Sequence, residues 1–148
     1  MPIAITQMTQ MIRINRLNKL FISLLVATWA SAPLADEKRD LERAQKSLAA
    51  NEYAKAYEQY SGIDHPLAFF TLGLMEDVGM GRTTDSKAAC GWYGKAAEGQ
   101  IPLATFRYAQ CLQKGIAGKP DPTAAAHWYQ QALGLGYQAA GCELGKLY

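Results

Sequence analysis

Two stretches decide the fold: WYGKAAEGQIPLA, Trp92 to Ala104, and HWYQQALGLGYQAA, His127 to Ala140. Laid over each other at an offset of 36, Trp92-Tyr93 meets Trp128-Tyr129 and Ala104 meets Ala140. The register extends both ways. Pro66-Leu67-Ala68 meets Pro102-Leu103-Ala104, Phe70 meets Phe106, Gly79 meets Gly115, Asp85 meets Asp121, and Ala88-Ala89 meets Ala124-Ala125. Ala68, Leu72 and Gly73 are answered once more by Ala140, Leu144 and Gly145. A fixed period of this size marks stacked structural units, none of which can bury its apolar surface alone.

Within each unit, apolar and small residues recur at helical spacing in two blocks, 66–78 and 86–98, then 102–114 and 122–134. Each unit is therefore predicted to be a helix pair. The loops inside the pairs, GMGRTTD and GIAGKPD, supply Gly79 and Gly115 where a helix end favours a left-handed residue. They close on Asp85 and Asp121, whose carboxylates can cap the next helix. Pro122 suits the first helical position, where a missing N–H costs nothing. Ala68, Ala88 and Ala96 let helix axes approach, while Trp92, Tyr93, Trp128 and Tyr129 fill the space between pairs.

The predicted class is all-α, an α-solenoid of stacked antiparallel helix pairs. Residues 66–101 form the first repeat, 102–137 the second, and 138–148 a C-terminal capping helix. Residues 36–65 read as a degenerate N-terminal pair: Leu41, Ala44 and Leu48, a turn at Ala50-Asn51, then Tyr53, Ala56, Tyr57 and Tyr60. Its second helix is about one turn shorter than its later counterparts, and Glu42, Lys46 and Glu52 fall on its solvent face.

The pattern A-x-x-x-L-G, a glycine loop, then D-x-x-A-x-x-x-W-Y-x-x-A resembles the Sel-one-like repeat (SLR), a relative of the tetratricopeptide repeat. Ala68, Leu72, Gly73, Gly79, Gly81, Asp85, Lys87, Ala88, Trp92, Tyr93, Lys95, Ala96, Ala97 and Gly99 carry the likeness in the first unit. The second departs at Tyr108 and Ala109, where Leu and Gly are expected, and at Leu135, where the terminal glycine has moved to Gly136. The resemblance covers 66–148 well and 36–65 loosely. It implies a right-handed solenoid used as a scaffold or adaptor in bacterial envelope, secretion and host-interaction settings.

Upstream, Arg13, Arg16 and Lys19 lead into the apolar run LFISLLVATWASA and Pro33, the pattern of a secretory signal peptide over residues 1–35. Leu20 to Ala32 falls short of the roughly 20 residues a spanning helix needs. A periplasmic or secreted product is expected. The leader holds three of the 15 Lys+Arg and no acid, which leaves 12 against 13 Asp+Glu from Asp36 onward. Such a near-neutral chain lacks the basic surface that neutralises nucleic-acid phosphates, and its length suits one domain.

Catalytic signatures are sparse. His65 and His127 have no metal-ligand spacing, and neither G-x-S-x-G nor H-E-x-x-H occurs. Some cysteine-rich members of the resembled family have been described as β-lactamases, yet S-x-x-K and K-T-G are absent. Glu76-Asp77 is expected to be a solvated pair. No catalytic residue, metal or cofactor is assigned.

Cys90, Cys111 and Cys142 have none of the C-x-x-C spacings of zinc or redox motifs. Cys90 and Cys111 stand almost equally far from the turn near residue 100 and so face each other at one height. Cys142 is displaced from that height by five residues, about 7.5 Å of helix rise. A Cys90–Cys111 bridge would need axes closer than the usual 8–10 Å or so, which Gly91, Gly94 and Ala109 would allow; three free buried thiols are the competing state. The resembled family's own bridges cannot be carried over, because its paired-cysteine register is missing.

Tetratricopeptide-like folds bind partners along the first helix of each pair. With Ala68, Leu72 and Met75 inward, Phe70, Leu74 and Asp77 lie on the face left free, with Phe106, Gln110 and Gln113 as counterparts and Arg107 adjoining. Either Phe70 and Phe106 form an apolar docking strip, or they are inter-repeat core. The expected function is a non-catalytic protein-binding module, an immunity protein against a secreted toxin or an envelope adaptor; the alternative is a hydrolase of cell wall or β-lactam. The partner is a protein, a secreted effector or an envelope component.

Overall fold

A computed structural model describes residues 32–148. Two compact units divide between Arg39 and Asp40, inside the first helix. Residues 1–31, most of the predicted leader, lie outside the described residues. Among the described residues there are seven helices and no strand: α1 (Ala32–Ala49), α2 (Tyr53–Ser61), α3 (Pro66–Val78), α4 (Ser86–Glu98), α5 (Pro102–Lys114), α6 (Pro122–Gly134) and α7 (Ala139–Gly145). The class is all-α. No helix among the described residues is long and apolar enough to cross a membrane.

Local chemistry sets these boundaries. Gly79 and Gly115 end α3 and α5 in the left-handed region, at φ 78° and 67°. A side chain is disfavoured there. The Asp85 Oδ1 accepts from the Ala88 N–H at 2.9 Å, and the Asp121 Oδ1 from the Ala124 N–H at 2.8 Å, so α4 and α6 begin on the same cap. A proline opens α3, α5 and α6. His65 caps α3 through its ring, the Nδ1 accepting from the Leu67 N–H at 3.1 Å. With 9 residues against 13, α2 is the shortened helix the sequence predicts.

Beyond Asp40, each helix packs on its neighbours in the chain: α2 on α3, α3 on α4, α4 on α5, α5 on α6 and α6 on α7. Side chains gather accordingly in three clusters. Ala44, Ala56, Tyr60, Ile63, Ala68, Leu72 and Met75 join the N-terminal pair to the first repeat. Phe106, Ala109, Ala125, Tyr129, Ala132 and Ala140 join the second repeat to α7. Ala89, Cys90, Tyr93 and Cys111 occupy the seam between repeats. Full burial of a side chain such as Leu72 or Met75 contributes about 1.5–3 kcal/mol. The alanines let the axes come close enough for that burial.

Glu76 corrects the expectation of a solvated carboxylate pair, since it is only 2% exposed. Its Oε1 accepts from the Tyr57 hydroxyl at 2.7 Å. Its Oε2 lies 3.2 Å from the Arg82 Nε, an ion pair not aligned as a hydrogen bond. Arg82 in turn lies over the Tyr57 ring, 4.0 Å from its centroid. A buried carboxylate is tolerable only with such partners, and this one ties α2, α3 and the 79–85 loop together.

Candidate functional site

The seam between α4 and α5 is closed by a disulfide, Cys90–Cys111, with the two Cα atoms 5.8 Å apart. The level match read from the sequence is realised. Its supporting residues divide: Ala109 is buried, and the space left by Gly94 admits the Tyr108 ring. Gly91, by contrast, is exposed and faces open space, so it does not contribute to the close approach. Cys142 is free and exposed rather than buried.

Above the disulfide lies a cleft of about 80 Å³ lined by Asp77, Tyr93, Arg107, Gln110 and Lys114, among others. On α5, Arg107, Gln110 and Lys114 recur at i, i+3 and i+7, which aligns them on one helix face. Asp77 reaches the cleft from α3, where its Oδ2 accepts from the Tyr93 hydroxyl at 3.2 Å. Burial first, and then the Asp77 charge, hold the Tyr93 hydroxyl far above the ordinary phenol range, while the Arg107 charge partly offsets them. Tyr129 repeats this geometry one unit later, donating to the Gln113 Oε1 at 2.7 Å. Burial, followed by the nearby Glu143, pushes its hydroxyl up to about 12.

Of the seven residues predicted to meet a partner, Asp77, Arg107 and Gln110 come together in the cleft. Phe70 and Leu74 are half-buried and pack against the disulfide cluster, Phe70 with its ring tilted on Tyr93. Phe106 takes the core alternative. It is 9% exposed, with ring centroids 5.6 Å from Tyr129 and 4.8 Å from Tyr137. No exposed strip of paired phenylalanines forms. Gln113 is engaged by Tyr129. Lys114 is a charged cleft residue that the sequence reading passed over; its place seven residues after Arg107 on one face was the available signal.

Among the described residues, no group of three His, Cys, Asp or Glu side chains is placed to hold a metal ion. His127 is exposed beside Gln131, with 2.9 Å between the His127 Nε2 and the Gln131 Nε2. The cleft offers hydrogen-bond donors, one carboxylate and a rigid floor.

No family model matches the sequence, and no curated protein matches it either. Solved structures do. A Sel1 repeat protein from Oxalobacter formigenes is similar at 33% identity over 64% of this chain, with a TM-score of 0.57. A protective antigen present in uropathogenic Escherichia coli strains, displaying an SLR fold, is similar at 27% identity over 64% of this chain, with a TM-score of 0.59. The matched regions are 40% and 20% of those two chains.

Proposed function

We propose that this chain, a member of the Sel-one-like repeat family, is a non-catalytic protein-binding module that receives its partner on the α3–α5 face. The observation that carries this reading is the cleft itself: Asp77, Arg107, Gln110 and Lys114 stand over a covalently fixed seam. A groove with such a floor binds without first having to order its walls.

Export supports the same reading. The basic and apolar leader has the form of a secretion signal, and structural disulfides persist in oxidising compartments such as the bacterial periplasm. Two roles fit a small exported module: one-to-one neutralisation of a secreted toxin, and bridging between envelope components. The identity of the partner separates them.

A photo-cross-linking side chain at Gln110 is the direct test. It is expected to trap one protein from the envelope fraction, whereas the same group at exposed Lys119 traps none. Equal trapping at both positions, or at neither, overturns the reading. Nitrocefin turnover by the purified chain would overturn its non-catalytic part in favour of a hydrolase.

A further inference from the structure

Resting on the protein-binding reading, we propose that the partner segment seated in the cleft is acidic, with one Asp or Glu side chain lodged against Arg107 and a neighbouring carboxylate or carbonyl meeting Lys114. The Arg107 Nε is buried and has no hydrogen-bond partner. A buried donor left unmade is costly, so the fold does not satisfy this guanidinium fully, and Arg107 lines the cleft where a ligand can meet its charge. Among the described residues, neither Arg107 nor Lys114 is paired with a carboxylate. Asp77, the acid in the cleft, is engaged by the Tyr93 hydroxyl. The site therefore presents two unpaired cations against one hydrogen-bonded anion.

Size and composition narrow the occupant. A cleft of about 80 Å³ is far below the roughly 300–1,000 Å³ of small-molecule pockets, and suits a single side chain. A nucleic-acid backbone needs an extended basic track, and from Asp36 onward acids slightly outnumber bases. Gln110, between the two cations, can donate and accept, which suits the main chain of an extended segment.

The test is an NMR titration of the full chain, observing the Arg107 Nε–H signal and the backbone amides of 107–114. The probes are the blocked peptide acetyl-GEDEDG-amide, its neutral isostere acetyl-GQNQNG-amide, and inorganic phosphate. The acidic peptide is expected to shift the Arg107 signal saturably, and the isostere to leave it in place. Lys114→Gln, on an exposed side chain, is expected to weaken the acidic peptide roughly tenfold, as loss of a charged hydrogen bond implies, with thermal unfolding unchanged. Arg107→Lys keeps part of the binding and Arg107→Gln loses it. Equal shifts from both peptides, no shift from either, or a larger effect from phosphate each overturn the proposal. Trapping at Gln110 together with an unmoved Arg107 signal would discard the acidic chemistry while leaving the binding module in place; loss of both discards both.

Discussion

At Gly73 a single hydrogen atom decides whether the first repeat closes. A Cβ there would lie 2.7 Å from the Tyr93 ring, whereas the counterpart, Ala109, carries its methyl buried in the cluster with Tyr129. Gly73→Ala is expected to cost about 1–3 kcal/mol by overpacking, read as a lower midpoint in urea. Tyrosine protonation supplies a second test. The hydroxyls of Tyr57, Tyr60, Tyr93 and Tyr129 are all raised by burial above the unfolded value of 10.0. Above that pH the unfolded chain releases protons that the folded chain keeps. The stability these hydroxyls contribute is thus full below pH 10 and is lost as the pH rises through their folded values, about 12 for Tyr129. Tyrosine absorbance at high pH should rise together with loss of helicity. Residue-level roles were only partly legible in the sequence. Helical periodicity placed Ala68, Leu72 and Met75 inward, as found. It could not reveal that Phe106 is enclosed by Tyr137, which belongs to the α6–α7 loop and obeys no helical period.

Helices and their joints were read more fully, because two copies of one pattern check each other. The blocks 66–78, 86–98, 102–114 and 122–134 reappear as α3 to α6. The helix α1 begins at Ala32, before the expected cap, in a stretch that has no second copy to compare. Between elements, the disulfide closes a loop over a sequence separation of 21. By loop-closure entropy its removal should cost about 3 kcal/mol, so dithiothreitol, or Cys90→Ser with Cys111→Ser, is expected to lower the thermal midpoint while α-helical circular dichroism at 25 °C is retained. At the α2–α3 joint, Glu76→Ala leaves the Tyr57 hydroxyl and Arg82 without their acceptor. A loss of roughly 1–3 kcal/mol is expected, larger than that from Tyr57→Phe; equal losses would show that Arg82 adds nothing.

In the stacked unit as a whole, stability is a sum over neighbouring contacts. The middle helices α3 to α6 are packed on both sides along the chain, while α7 packs chiefly on α6 and is 7 residues long. Hydrogen exchange should be slowest in α4 and α5 and fastest in α2 and α7; uniform protection would contradict nearest-neighbour stacking. Fold was legible at this scale because a repeat writes it twice. The proposed partner chemistry was less so, since Arg107 and Lys114 gain meaning only once Asp77 is seen to be occupied by Tyr93. The bond between Cys90 and Cys111 also has a mechanical consequence. Pulled by its ends, the oxidised chain hides the segment from 90 to 111 from the tension. It should stretch on the order of 70 Å less than the reduced chain, at about 3.4 Å per residue, a deficit that a force trace would register as missing length.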